Sequence, residues 1–243
     1  MISSTLMQFI NPESQPVLNE IDVIDRMLTL DDAHILELGC GAVEKTRLIA
    51  EKYNVAKITA VEIDPIQHEK NLQIADMPKT EFKSYGAQDI PEADKTFDVV
   101  MMFKSLHHVP VESMDQTLAE ISRVLKPGCV AYISEPVFAG DFNDILRLFH
   151  DEERVRSQAF NALGRAIDEG VLELEEEFFF DNVMKMASFK QFEVGILNAT
   201  FNDHQLDDSL LVEVKRRFMS HESENGFVFR VPNRVDLLVK SIG

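Results

Sequence analysis

Two glycines two positions apart, Gly39 and Gly41, close the short apolar run Ile35-Leu36-Glu37-Leu38 and stand just before a helical stretch that opens with charged residues. Glycines so placed let the chain turn tightly and let a ligand lie against main-chain N–H groups with no Cβ in the way. Near a helix start those N–H groups are unpaired and favour a polar or anionic group, so the stretch reads as a nucleotide-type ligand site; a ligand-free strand-to-helix turn is the plain alternative. Glu62 lies 23 residues after Gly39, near the separation of about 20 at which the second strand of a dinucleotide-type fold presents a carboxylate to ribose hydroxyls. Asp64 is better explained as a cap on the helix that Pro65 opens. Gln88 and Asp89 sit in the loop after a third strand, where either could accept from an adenine amino group or serve as an ordinary loop residue. His107 and His108 are adjacent, so they point in different directions, and no nearby cysteine or acid completes a ligand set; no metal is expected. At a pocket mouth one of these imidazoles could move a proton, or both could be structural. Glu135, at the end of a fifth strand, is a further pocket-facing candidate.

The elements that must position these residues alternate at short intervals. Strands are expected at 35–38, 56–63, 80–85, 96–103 and 129–134, with helices at 17–30, 44–53, 65–76 and 111–126. That rhythm is the pattern of a doubly wound parallel α/β sheet. Beyond Gly140 it breaks into a long helical region, 141–169, interrupted near Gly164. A partly alternating strand at 172–186, helices at 189–197 and 205–220, and a last strand at 227–239 follow. A late strand reached through long helical insertions suggests an antiparallel edge pair under a helical cover.

A chain of 243 residues fits one domain, or one domain with a lid, and we read one. Its 24 basic and 42 acidic side chains leave a formal charge of −18, which should repel nucleic acid and anionic membrane. Lys215-Arg216-Arg217 lies among acidic neighbours and reads as a solvated helix face. Cys40 and Cys129, both in expected turns, form neither a disulfide framework nor a zinc pattern. With no signal-peptide order and no membrane-length apolar run, a soluble cytoplasmic protein is expected.

Five segments in order, ILELGCG, VEID, GAQDIP, FDVVMMFKSLHHV and LKPGC, resemble those of class I S-adenosylmethionine-dependent methyltransferases over about residues 35–136. The resemblance implies a Rossmann-like, seven-stranded sheet whose last strand is antiparallel. It also implies that Glu37, Gly39, Cys40 and Gly41 cradle the methionine moiety, that Glu62 takes the ribose hydroxyls and that Ile63 packs on adenine. Ala87, through its backbone, and Gln88 or Asp89 would address the adenine edge, and Phe103 and Lys104 would lie beside the sulfonium and the substrate. The chain departs from the family at Val43, where another glycine is usual, and at Gly86, where the adenine-loop acid usually falls.

Methyl transfer from a sulfonium is an in-line displacement on an activated carbon, so holding nucleophile and methyl together supplies most of the acceleration. His108 or His107 would serve as base for a hydroxyl or ammonium acceptor. The expected cofactor is S-adenosylmethionine, with S-adenosylhomocysteine as product. The expected partner is a small, partly apolar acceptor, with no nucleic acid or membrane, and homodimerisation stays open. On this reading 1–30 is an arm and helix, 31–140 the cofactor-binding core, 141–220 insertions that build the acceptor pocket, and 221–243 the last strand. One alternative is a catalytically silent partner protein using the phenylalanine-rich stretch 178–201 as its interface. The other is an NAD-dependent oxidoreductase, which Glu44 at the third glycine position of G-x-G-x-x-G disfavours.

Overall fold

β1 (His34–Leu38) and β4 (Phe97–Phe103) each place alternate apolar side chains on opposite faces. Leu36, Leu38, Val100 and Met102 join one core cluster, and Ile35, Val99 and Met101 join another. All are buried, as required of interior parallel strands covered on both sides. The computed structural model describes residues 7–11, 13–197, 207–224 and 226–242. In it β3 (Thr80–Lys83), β2 (Lys57–Val61), β1, β4 and β5 (Leu125–Pro136) lie side by side in that order, all parallel. Strand order reverses between β1 and β4, which opens a crevice at their carboxyl ends.

The helices are α1 (Glu20–Met27), α2 (Glu44–Lys52), α3 (Pro65–Asn71), α4 (Met114–Val124), α5 (Asp141–Leu146), α6 (Glu153–Asp168), α7 (Phe189–Phe192) and α8 (Asp208–Met219). α4 and α6 cover one face through Leu118, Ile121, Ala162 and Leu163, and α1 and α2 cover the other through Val23, Ile24 and Ile49. α1 starts at a reciprocal capping box between Asn19 and Asp22. Its buried Glu20 accepts a 2.7 Å hydrogen bond from the Tyr132 hydroxyl, which ties the helix to β5.

The last strand is antiparallel, as expected, and forms the antiparallel edge pair: β8 (Gly226–Val239) lies between β5 and β6 (Glu173–Met186), and β6 is the edge. Val235, Leu237 and Leu238 are buried, and an edge position would leave such residues half covered. The N-terminal arm shields part of the edge. Leu18 N–H donates to the Asp181 carbonyl at 3.0 Å and Asp181 N–H to the Pro16 carbonyl at 2.9 Å. The two-residue β7 (Glu222–Ser223) pairs with β8.

Residues 226–232 of β8 continue past Pro136, the end of β5, paired only with β6 and β7. This projecting ribbon, with α5, α7 and α8, encloses a third apolar cluster that includes Phe142, Phe192, Phe218, Phe227 and Phe229. Of the phenylalanines in 178–201, Phe179, Phe180 and Phe192 are buried and Phe178 and Phe189 partly so; Phe201 lies outside the described residues.

The stretch 141–169 folds as two helices, α5 and α6, divided at 147–152. Gly164 interrupts nothing, and a Cβ there would meet no atom within 4 Å. Cys129 stands in β5, not in a turn. The helix expected over 205–220 is α8, capped by Asp207, whose side chain accepts from Leu210 N–H; residues 205–206 lie outside the described residues. Among the described residues no helix is long and apolar enough to cross a membrane.

Candidate active site

The turn after β1 is held by its own main chain. Gly39 and Cys40 N–H both donate to the Val61 carbonyl at 2.9 Å. Gly39 has φ +76°, and a Cβ on it would stand 2.7 Å from the Ser105 Cβ. Left-handed backbone and close approach together demand glycine. Ser105 is fixed there by its hydroxyl, which donates to the Leu38 carbonyl at 2.8 Å. Gly41 has φ +52°, and its N–H donates to Glu62 Oε2 at 2.7 Å. Val43 follows with φ 58°, a left-handed conformation that is strained for a β-branched residue. Its side chain is buried in the core, so it does not cross the cleft.

Glu62 leaves the end of β2 with its second oxygen accepting from Asp64 N–H at 2.9 Å. Asp64 caps α3, its carboxylate accepting from Ile66 N–H at 2.9 Å. Each Glu62 oxygen retains a lone pair. Beside it Ile63 is 63 % exposed, an apolar side chain presented to the cleft.

These groups border a cavity of about 670 Å³ at the carboxyl ends of β1, β2 and β4. Gly39, Gly41, Glu62, Ile63, Ala87, Gln88, Lys104 and His108 all line it. Five other residues expected at the site stand off its wall. Glu37 is buried behind the turn, where its carboxyl accepts from the Thr46 hydroxyl at 2.7 Å. Burial raises it to about 7 against that hydrogen bond. Cys40 is buried with its sulfur 3.7 Å from Asn71 Nδ2. Phe103 packs its ring on Tyr132 at 5.7 Å. Asp89 is exposed to solvent, and its N–H closes the loop onto the Gly86 carbonyl at 3.2 Å. His107 is buried next to the cavity rather than in its lining.

Lys104, φ 54°, ends β4 and donates its backbone N–H to the Ser134 carbonyl at 2.7 Å. Burial holds its amine below the usual lysine range, more than Glu20 restores. The short helical turn Leu106–His108 is anchored by Glu135, whose two oxygens accept from Leu106 N–H at 2.9 Å and bond His107 Nδ1. The His108 ring lies 4.1 Å from that of His107. Burial, then the neighbouring His107, lowers its pKa, so it is neutral near pH 7.

A second cavity, about 250 Å³, opens on the other side of Lys104 and His108 beneath the projecting ribbon. Val137, Phe142, Leu146, Met184 and Val231 give it apolar walls. His150, Glu152 and Arg156 give it a polar end. Glu152 bonds Arg156 Nη2 at 2.6 Å and His150 Nε2 at 2.9 Å. Burial opposes ionisation of this carboxyl, but His107, Arg156 and His150 outweigh it and lower its pKa. Sequence reasoning missed His150, Glu152 and Arg156, because the break between α5 and α6 that brings them here carries no glycine or proline.

Comparison with known proteins agrees with this geometry. Residues 35–128 match the family profile described as a methyltransferase domain. The sterol 4-C-methyltransferase strm-1 of Caenorhabditis elegans is 29 % identical over 125 residues, 50 % of this chain and 36 % of that protein. The fatty-acid O-methyltransferase of Mycolicibacterium smegmatis is 30 % identical over 99 residues, 41 % of this chain and 35 % of that protein. The chain thus spans little more than a third of the length of these relatives. Among solved structures, the YcgJ protein of Bacillus subtilis superposes with a TM-score of 0.63 at 15 % identity, covering 91 % of this chain and 97 % of that one; at that identity the likeness speaks for the fold. Residues 35–128 thus resemble a methyltransferase domain, and the chain has the Rossmann-like fold of solved methyltransferase-like structures.

Proposed function

We propose that the protein transfers a methyl group from S-adenosylmethionine to a small, partly apolar acceptor. The observation that carries this reading is the placing of Glu62 and Ile63 beside the Gly39–Gly41 turn on one cavity: a charged acceptor for ribose hydroxyls, an exposed apolar side chain for a planar base, and a glycine wall. This donor and acceptor set fits the cofactor. Glu62 would hold the ribose, Ile63 and Ala87 the base with Gln88 at its edge, and the Gly39–Gly41 turn, whose N–H groups are paired within the chain, would admit the amino-acid end by the absence of side chains on its two glycines. When bound, the cofactor supplies a methyl group on a positively charged sulfur, already activated toward a nucleophile in line with it.

The chain's own part is to hold and to move a proton. The smaller cavity meets the larger at Lys104 and His108, so an acceptor lying in it would direct its polar end at the cofactor cleft. His108, neutral near pH 7, has a lone pair with which to take a proton from a hydroxyl or ammonium acceptor. Glu135 positions the turn that carries it. Burial disfavours the charged form of the Lys104 amine beside the cleft. The left-handed Val43 supports an intact turn over a silent pocket, because its side chain points into the core. The test is incubation with S-adenosylmethionine and a panel of small apolar alcohols, carboxylic acids and amines, scored by mass spectrometry for methylated product and S-adenosylhomocysteine. Methylation of bulk RNA in preference to every small acceptor would contradict the proposal.

A further inference from the structure

We propose that His107, His108 and Glu152 form a binding site for one divalent transition-metal ion, of the class that imidazole and carboxylate ligands take together, such as zinc or iron(II). One ligand atom from each lies within 4.8 Å of the others. Donors about 2.0–2.1 Å from a tetrahedral ion stand roughly 3.4 Å apart. Drawing the three atoms from within 4.8 Å to that spacing is the adjustment the ion would require. Two imidazoles and one carboxylate leave further positions open, as catalytic sites do and closed structural sites do not.

The surrounding groups orient the ligands as outer partners of metal sites do. Glu135 engages Nδ1 of His107, and with the proton assigned to that contact the lone pair of Nε2 faces Glu152 Oε1 across 3.8 Å. A proton on Nε2, or a metal ion in its place, would join the two groups. The other oxygen of Glu152 is held by Arg156 Nη2 at 2.6 Å and Nε at 3.1 Å, which aims Oε1 toward the histidines. His150 Nε2 also lies 2.9 Å from that oxygen, so a fourth nitrogen stands beside the set. The carboxylates of Glu135 and Glu152 offset the charges of Arg156 and Lys104, which border the same space.

His108 lines both cavities. An ion on it would present an open coordination position where they join, within reach of an oxygen or nitrogen on a bound small molecule. The site does not depend on the methyl-transfer reading, because it can be filled and measured with no cofactor present; a His108 that holds the ion has no lone pair left for a proton, so its two roles are alternatives.

The test uses the whole chain, stripped with a chelator and titrated calorimetrically with zinc, then with cobalt(II) followed by visible absorption. The expected result is one ion per chain and ligand-field bands of imidazole-bound cobalt. His108→Ala and Glu152→Gln should abolish both, and Glu135→Gln should weaken zinc binding by about 10- to 100-fold. Melting curves establish that the His108→Ala variant folds. Absence of stoichiometric zinc in the wild-type chain would overturn the proposal. So would stoichiometric binding that folded His108→Ala and Glu152→Gln leave unchanged.

Discussion

Glu37→Gln removes a carboxyl that sits behind the Gly39–Gly41 turn and accepts a hydrogen bond from the Thr46 hydroxyl. Burial raises its pKa from 4.5 to about 7. Because the folded value lies above the unfolded one, the folded chain binds more protons between them. The stability this group contributes is full below about 4.5 and is lost as pH rises through about 7. At 1.36 kcal/mol per pH unit the interval is worth roughly 3 kcal/mol in all, and linkage places most of it in the range from about pH 5 to about pH 8. Glutamine does not titrate. Any fixed penalty of its amide, about 1–3 kcal/mol if unpaired, enters equally at both pH values and cancels. Urea unfolding of both proteins at the two pH values, followed by circular dichroism, measures the difference. The wild type should lose roughly 2–3 kcal/mol relative to the variant on going from pH 5 to pH 8. Parallel pH dependences would refute the buried, raised carboxyl.

Glu62→Ala should weaken S-adenosylmethionine binding about 10- to 100-fold by removing a charge-assisted acceptor worth about 1.5–3 kcal/mol; an unchanged affinity in the folded variant would take Glu62 out of the site. Gly39→Ala combines a left-handed φ with a 2.7 Å contact to the Ser105 Cβ, so thermal unfolding should show a loss above about 2 kcal/mol. Gly41→Ala meets open space and should lose only the backbone term of about 1–2 kcal/mol. His108→Ala should reduce methyl transfer while cofactor affinity measured calorimetrically stays the same, and the acid limb of the wild-type pH–rate profile should disappear with it.

The part of the site legible in the sequence is the part built by local signals. Gly39, Gly41 and Glu62 announce themselves because a strand, a glycine turn and an acid at fixed spacing are dictated within a single β–α–β unit. Lys104 and His108 follow from their place at the end of the most continuously apolar strand. The rest depends on pairings between distant segments. No local pattern says that β8 inserts between β5 and β6 rather than beside them, and register there is chosen by the burial of Val235 and Leu237. The helical periodicity over 141–169 conceals the break at 147–152, yet that break carries His150 and Glu152 to the histidines of the β4 turn. Conversely, Gly164 misleads because glycine is tolerated inside a helix at about 1 kcal/mol.

The central claim is that the cavity beside Gly39, Gly41 and Glu62 takes an adenosyl sulfur compound. Calorimetric titration of the purified protein with S-adenosylmethionine, S-adenosylhomocysteine and NADH, side by side, tests it most directly. Micromolar binding of the two adenosyl sulfur compounds, with none of NADH, is the predicted result. Binding of NADH alone, or of none of the three by the folded protein, would contradict it.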